Sequence, residues 1–489
     1  MSGPAALRVW ILGCLGSSLL AGCAIGPDYH RPDADVPEAW SPDAPWHEAA
    51  PSDAALKGNW WELFDDAALN ALVEKALPNN QNLRVAAARL QQARAQLTVT
   101  ASALYPSVSL SADAGRGKTS ANRPLAVYDT PNSSTTQNDF TVGATVNYEV
   151  DLFGRVRREV EGARASAEQA EADFENVRLM LTAQLATDYF TLRELDAEIE
   201  VVRRSLDLER KALDFVTARH DLGFATGLDL AQQQGLLDAA EAQLELLQNQ
   251  RSQTEHAIAT LIGTPAPSFS LAPQAASAAL PSLPVALPSD LLQRRPDVAS
   301  SERSMAASNA RIGVAKAAYF PLIDLVPTFG GPNGGWQSNA LSTLIEAPSV
   351  FWSVGLSATQ TLFDAGKTRA NVRIATADYS AAVATYRQTV LTAMEEVENG
   401  ITGLTTLDRA STQADASVRD EQRAFDLATD RYQDGVDTYL DVITAEQTLL
   451  NNRRQAVQIR GQQFTTAVYL IKALGGGWGL PPGASARGG

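Results

Sequence analysis

Phe140-Thr141-Val142-Gly143-Ala144-Thr145-Val146-Asn147-Tyr148-Glu149-Val150-Asp151-Leu152 decides the fold. Every second residue is apolar, so one face of an extended chain here is greasy and the other polar or small. The alternation lasts 13 residues, and a tilted strand needs only about 9–11 to cross a bilayer. Upstream, Val108, Leu110, Ala112 and Ala114 alternate with Ser107, Ser109, Ser111 and Asp113. Further on, Val350, Trp352, Val354, Leu356 and Ala358 alternate with Phe351, Ser353, Gly355, Ser357 and Thr359, while Ile323, Leu325 and Phe329 make a weaker fourth case. The connections at 115–138 and 330–349 are rich in Asn, Ser, Gly and Pro, which predicts two long hairpins. Four strands cannot close a barrel, because the smallest barrels have about eight and lipid tolerates no open edge. Subunits are expected to share one barrel, and a trimer supplies twelve strands.

The chain repeats itself. Ala103-Leu104-Tyr105-Pro106 is echoed by Ala318-Tyr319-Phe320-Pro321, and Leu152-Phe153-Gly154-Arg155 by Leu362-Phe363-Asp364-Ala365-Gly366-Lys367. Arg219, Gly223, Thr226, Leu228 and Asp229 match Arg431, Gly435, Thr438, Leu440 and Asp441 at a constant offset of 212. Two copies of one unit are expected, joined by a proline-rich linker at 265–296.

Between the hairpins the pattern is helical. Proline is absent from Asn132 to Thr264 and from Ser349 to Leu480, and neither Gly nor Pro interrupts Ala163 to Leu222. Leu185, Leu192, Ile199, Leu206 and Leu213 recur every seven residues, with Leu181, Leu195 and Val202 completing a coiled-coil seam. Val383, Val390, Val397 and Leu404, then Val418, Phe425 and Tyr432, form the second seam. Leu230, Leu237, Leu244 and Ile258, and Ile443, Leu450, Val457, Phe464 and Ile471, mark two return helices. The expected fold is a mixed α and β membrane protein: a trimeric twelve-stranded transmembrane β-barrel, continued by a long α-helical coiled-coil barrel, with two internal repeats per chain.

Composition narrows the function. The chain has 489 residues, 45% hydrophobic and 20% charged, with a net charge of -16; no clustered excess of Lys and Arg suits nucleic acid. Beyond the N-terminus no run of about 18 apolar residues suggests a membrane helix. The four histidines, His30, His47, His220 and His256, are scattered without metal-ligand spacing, so no metal, cofactor or catalytic residue is expected and the protein does not read as an enzyme. Arg8, the apolar run Val9 to Leu20 and the small residues after it form a signal sequence at 1–22. Leu20-Ala21-Gly22-Cys23 resembles a bacterial lipobox, with Cys23 as the acylated first residue of the mature chain and Ala24 after it pointing to the outer membrane.

Polar residues concentrate at the turns between long and return helices. Asp221, Asp229, Asp434, Asp437 and Asp441 lie there beside Arg219, Arg431, Tyr432, Gly223 and Gly435. Gly can end one helix while Asp or Thr caps the next. Repeated around a threefold axis, the same acids would ring a constriction that favours cations. Both readings are compatible.

Repeated hairpins and coiled coils, Leu152 to Arg155, Arg294-Arg295-Pro296-Asp297-Val298, Tyr432 to Asp441 and Gly475-Gly476-Gly477-Trp478 together resemble the outer-membrane factor family. Gly26-Pro27-Asp28-Tyr29-His30-Arg31-Pro32 and Trp60-Trp61-Glu62-Leu63-Phe64 are similar to its lipidated, OprM-like (NodT-type) branch, whose architecture resembles that of TolC. The resemblance implies a homotrimeric exit duct of a tripartite efflux system, passively conducting small molecules to the outside. The implied partners are a periplasmic adaptor, an inner-membrane RND-type transporter and outer-membrane lipid. It also implies a periplasmic gate at Arg431, Tyr432, Asp434, Asp437, Asp441, Asp229 and Asp221. TolC repeats an acid three residues after the position of Asp441, where this chain has Thr444. A protein-export duct and a coiled-coil scaffold without a pore are the alternatives, and a scaffold has no use for hairpins of lipid length.

The expected segments are a lipidated extended segment at 23–62 and a first repeat at 63–264, comprising a helix, a hairpin near 103–152, a long helix near 155–222 and a return helix near 228–262. The second repeat occupies 297–474, with its hairpin near 319–362, long helix near 365–434 and return helix near 438–474, before a flexible tail at 475–489.

Overall fold

The computed structural model describes residues 24–31, 59–122, 133–274, 280–281, 295–327 and 332–476. The expected signal sequence at 1–22, Cys23 and the tail beyond residue 476 lie outside the described residues. A 3₁₀ turn at Trp60–Phe64 leads into α1 (Ala67–Asn79) and α2 (Gln81–Ala101), followed by β1 (Ser107–Thr119) and β2 (Thr135–Glu149). Next come α3 (Arg155–Asp221), α4 (Gly227–Leu261) and α5 (Pro296–Ala317). The strands β3 (Leu322–Val326), β4 (Gly334–Ser338), β5 (Val350–Trp352) and β6 (Gly355–Thr359) precede α6 (Lys367–Gln433) and α7 (Tyr439–Ala473). The chain divides into two compact units, and α3 and α6 contribute residues to both. Among the described residues no helix is long and apolar enough to cross a membrane.

The first unit holds the sheet. β1 and β2 form a hairpin registered from Ser107 opposite Asn147 to Thr119 opposite Thr135. The second pair corrects the expectation of two uninterrupted strands, because it is divided among β3, β4, β5 and β6. β3 pairs with one end of β2, Tyr148 opposite Leu325, and β4 with its middle, Val142 opposite Trp336. β6 continues outward from β3 and β5 from β4, so the six strands trace four paths. Val326 stands opposite Gly355 and Gly334 opposite Trp352; seven residues separate the first pair member from the next on one path, against two on the other. The excess contains Pro327 and Pro332, which have no N–H to give a ladder. Asn333 fills the gap: its side-chain oxygen accepts from the Val146 N–H and its carbonyl from the Ser353 N–H at 2.6 Å. Gly143 admits this excursion, since a Cβ there would lie 2.5 Å from Pro332 Cβ.

Antiparallel partners share a face. The registers therefore place Val108, Leu110 and Ala112 beside Val146, Ala144 and Val142, and continue that face through Trp336, Val350 and Trp352. Val108, Leu110, Trp336, Val350, Trp352 and Leu356 are all exposed on the single chain. The opposite face carries Ser107, Ser109, Ser111, Thr141, Thr145 and Asn147. The N-terminal segment docks in the same unit: Arg158 donates to Asp28 at 2.8 Å, Asn309 Nδ2 to the Pro27 carbonyl at 2.9 Å, and Gly26 passes so close that a Cβ would lie 2.5 Å from the Gly313 Cα.

The second unit is coiled coil. Leu185, Leu192, Ile199 and Leu206 are buried along α3, as are Leu237 of α4, Val390 and Val397 of α6, and Phe464 and Ile471 of α7. Each such side chain contributes about 1.5–3 kcal/mol by leaving water. Phe190 stacks on Phe464 and meets Phe64, with ring centroids 4.8 Å apart in both pairs. The Trp60 to Phe64 motif is thus core: Trp60 Nε1 donates to Thr182 at 3.2 Å, and the Tyr189 hydroxyl to Asp66 at 2.8 Å. The single helix expected before the first hairpin is α1 and α2, because Asn80 breaks it. Asn80 leaves the helical conformation, accepts from the Leu83 N–H at 3.0 Å and donates to the Leu261 carbonyl at 2.9 Å, so it caps one helix and anchors another. The start of the linker is strapped down by charge. Arg251 donates to the Leu271 carbonyl at 2.6 Å and Arg193 to that of Ala272 at 2.9 Å, while the Gln274 N–H donates to Asp196 at 3.1 Å.

Candidate functional site

The turn between α3 and α4 follows from three residues. Gly223 adopts φ +77°, the left-handed conformation that glycine enters without penalty, and the Phe224 N–H returns to the Arg219 carbonyl at 2.8 Å. Thr226 then caps α4: its hydroxyl accepts from the Asp229 N–H at 3.2 Å, and the Asp229 carboxylate accepts from the Thr226 N–H at 2.8 Å. The α6–α7 turn uses the same chemistry. Gly435 has φ +74°, the Val436 N–H returns to the Arg431 carbonyl at 2.9 Å, and Asp441 accepts from the Thr438 hydroxyl at 2.8 Å. Asp229 and Asp441 therefore hold their own turns, as capping requires.

The remaining residues separate into two environments. Arg431 closes a bidentate pair with Asp437 of its own turn, with Nη2 to Oδ1 at 2.8 Å, and this guanidinium holds the Asp437 carboxyl below the usual carboxylate range. Asp221 and Asp434 are exposed, and His220 Nδ1 lies 3.6 Å from Asp221. Tyr432 instead turns inward, packed with Val216, Tyr439, Val442 and Ile443. The Arg219 guanidinium lies over its ring, 4.8 Å from the centroid, in a cation–π arrangement. Arg431 and Tyr432 are thus sequence neighbours on opposite sides of the helix surface, one in water and one in the core.

Two partners escaped the sequence reading. The Tyr439 hydroxyl donates to Gln233 Oε1 at 2.6 Å, and Gln233, fully buried, donates from Nε2 to the Glu209 carbonyl at 3.1 Å. The available signal was position: Tyr439 precedes Glu446, and Gln233 precedes Ala240, by one heptad on core rows. Arg295, in the first turn region of α5, carries a structural task. It forks onto Asp297 at 2.9 and 2.6 Å and reaches Glu396 at 2.7 Å and the Ala473 carbonyl at 3.0 Å. Among the described residues no group of three His, Cys, Asp or Glu side chains is placed to hold a metal.

Comparison with known proteins gives this geometry a setting. The profile of the family described as "Outer membrane efflux protein" matches residues 72–264 and 287–476. The chain is 32% identical over 469 residues to the pyoverdine export outer membrane protein OpmQ of Pseudomonas aeruginosa, covering 96% of each chain. It is 31% identical to the probable efflux pump outer membrane protein TtgC of Pseudomonas putida, covering 94% of each. Its structure is similar to that of the outer-membrane channel OprN, with TM-score 0.86 and 32% identity over 93% of this chain and 100% of that one. It is also similar to the open state of the Neisseria gonorrhoeae MtrE channel, with TM-score 0.82 and 27% identity over 94% and 99%. A polar-faced sheet, long helical seams and a match spanning both halves converge: the chain belongs to the outer membrane efflux protein family, and it is an outer-membrane channel of an efflux system that reaches into the periplasm.

Proposed function

We propose that three copies of this chain build one exit duct. Each contributes four strand paths to a shared twelve-stranded barrel, and the long and return helices continue it as a coiled-coil barrel through the periplasm. One observation carries the reading: the sheet presents an apolar face from Val108 to Trp352, exposed on β1, β4 and β5 and half-buried on β2, backed by a polar face, while β1 pairs only with β2 among the described residues. In a bilayer the apolar face has lipid to cover it, but the open edge must find another strand. The lumen is then lined by Ser, Thr and Asn. The duct passes small molecules passively, supplied by an inner-membrane RND-type transporter through a periplasmic adaptor. Acyl chains on Cys23 hold the segment that docks through Asp28 and Pro27 against the outer membrane.

Native mass spectrometry in mild detergent tests assembly and anchor together. The expected species is a trimer whose mature chains begin at Cys23 and carry acyl mass, lost in Cys23→Ser. A folded monomer or dimer as the largest species would remove the shared barrel.

The helix turns are proposed as the periplasmic gate, with Asp221, Asp229, Asp434, Asp437 and Asp441 as its acids and Arg431 and Tyr432 as its closing contacts. The Arg431–Asp437 pair fixes one turn, and Tyr432 ties α6 to α3 and α7 through Val216 and Tyr439. Arg431→Ser combined with Tyr432→Phe should raise single-channel conductance in a planar bilayer by a small, measurable amount. Phe keeps most of the packing, so the released charge pair accounts for most of the change. Asp441→Asn, whose side-chain oxygen can still accept from the Thr438 N–H, should reduce cation selectivity and block by divalent ions. If both variants conduct and select like the wild type, the constriction lies elsewhere.

A further inference from the structure

A polar layer interrupts the coiled coil next to the helix turns. On α3 the core row Leu195, Val202, Glu209 and Val216 runs at seven-residue spacing, and all four side chains are buried, Glu209 at 3% exposure. On α4 the row Gln233, Ala240 and Leu247 is buried, with Gln233 at 0%, and on α7 Tyr439 and Glu446 are one heptad apart at 5% and 7%. Such rows belong to apolar residues. Above the layer lies one apolar cluster of Leu195, Ile199, Val202, Leu206, Leu237, Ala240 and Leu247. Below it lies a second, of Val216, Tyr432, Tyr439, Val442 and Ile443.

The layer is incompletely satisfied. Ser205 donates to Glu209 Oε1 at 3.2 Å, Gln233 to the Glu209 carbonyl and Tyr439 to Gln233, but Glu209 Oε2 is buried without a hydrogen-bond partner. The titratable groups facing it are Glu446 and Tyr439 from α7, with Tyr432 of α6 and Asp229 of α4 influencing Tyr439. Among the described residues no ion pair reaches Glu209 or Glu446, so two buried acids face each other without a cation. An ionised carboxylate in such a place is costly, whereas the protonated acid has no charge to desolvate.

We propose that Glu209 and Glu446 form a proton-dependent latch, which packs the helix turns onto the coiled coil when the acids are neutral and loosens them when the acids ionise. Burial, reinforced for Glu446 by the charge of Glu209, pushes both carboxyls up to about 7 from an ordinary value of 4.5. The packed state therefore binds more protons than the loosened one, and its stability falls as pH rises from about 4.5 through about 7. Each group can change the packing equilibrium by at most about tenfold per pH unit in that window. The functional meaning rests on reading this end as a gate, but the proton link does not, so conductance and packing are measured separately.

The test is hydrogen exchange on the full-length lipidated protein in detergent, at pH 5.5 and 7.5, corrected for intrinsic rates. Amides of 213–230 and 428–446 should lose roughly tenfold or more of their protection at the higher pH in the wild type. In Glu209→Gln with Glu446→Gln the protection should stay within about twofold. Infrared spectra of the wild type should show a protonated carboxyl band at pH 6 that disappears by pH 8, and Glu209→Gln and Glu446→Gln as single variants should each diminish it, the remainder belonging to Glu194, which burial also pushes up to about 7; this keeps the test decisive if the double variant fails to fold. Wild-type protection that is flat after correction, a wild type without the band, a band that neither single variant diminishes, or a folded double variant that keeps the full dependence would each overturn the latch. A pH-linked exchange with unchanged conductance in the gate variants would support the latch and count only against the gate.

Discussion

Arg295→Ala should cost the protein about 3 kcal/mol, because it removes a buried guanidinium, leaves the Ala473 carbonyl without its donor and takes the main cation from two half-buried carboxylates. Arg295 is 6% exposed and joins Asp297 at the start of α5, Glu396 in α6 and the last carbonyl of α7 at Ala473. Burial opposes the guanidinium charge, and Asp297 and Glu396 outweigh it, holding the group protonated. Removing it leaves Glu396 with Lys472, whose Nζ lies 3.6 Å away, and Asp297 with only the Val298 N–H at 2.9 Å. Arg295→Lys keeps one charge but loses the fork, so it should fall between alanine and the wild type. Urea unfolding of the purified protein, followed by helical circular dichroism, reads the difference. A loss below about 1 kcal/mol for the alanine variant would mean that water replaces the guanidinium and the clamp is peripheral.

The second large effect belongs to the sheet. Val142 shares a face with Ala112 and Trp336, near the middle of the apolar surface. Val142→Arg should destabilise the protein in lipid vesicles by about 2–4 kcal/mol, the range for a cationic side chain facing lipid at the bilayer midplane. Thr145, one strand residue beyond Ala144, points to the opposite face, and Thr145→Arg should cost under about 1 kcal/mol where the lumen is wet. Equal damage from the two would mean either that both faces are dry or that β2 does not lie in the membrane.

Much of this protein is written in short-range periodicity. The alternation around Phe140 to Leu152 marks β2, and the absence of Gly and Pro from Ala163 to Leu222 lets α3 run unbroken, since backbone bonding within a helix or along a strand depends on near neighbours. Thr226 with Asp229, and Thr438 with Asp441, announce helix starts for the same reason. The second strand pair was only partly legible: Pro327 and Pro332 are visible breakers, but Asn333 substitutes its side chain for a ladder acceptor opposite Val146, far away in sequence.

The site divides the same way. Sequence alone determined the mostly helical chain with a sheet, the family, and the placing of Arg431, Tyr432 and the aspartates at helix turns. Only the tertiary structure decided which of them meet. It gave Arg431 a partner within its own turn, sent Tyr432 into the core under Arg219, and buried Glu209, Gln233 and Glu446 in one layer. A heptad position says that a residue faces another helix, but not which one or at what depth; for a carboxylate that depth sets the cost of its charge, and it depends on segments more than 200 residues apart packing together.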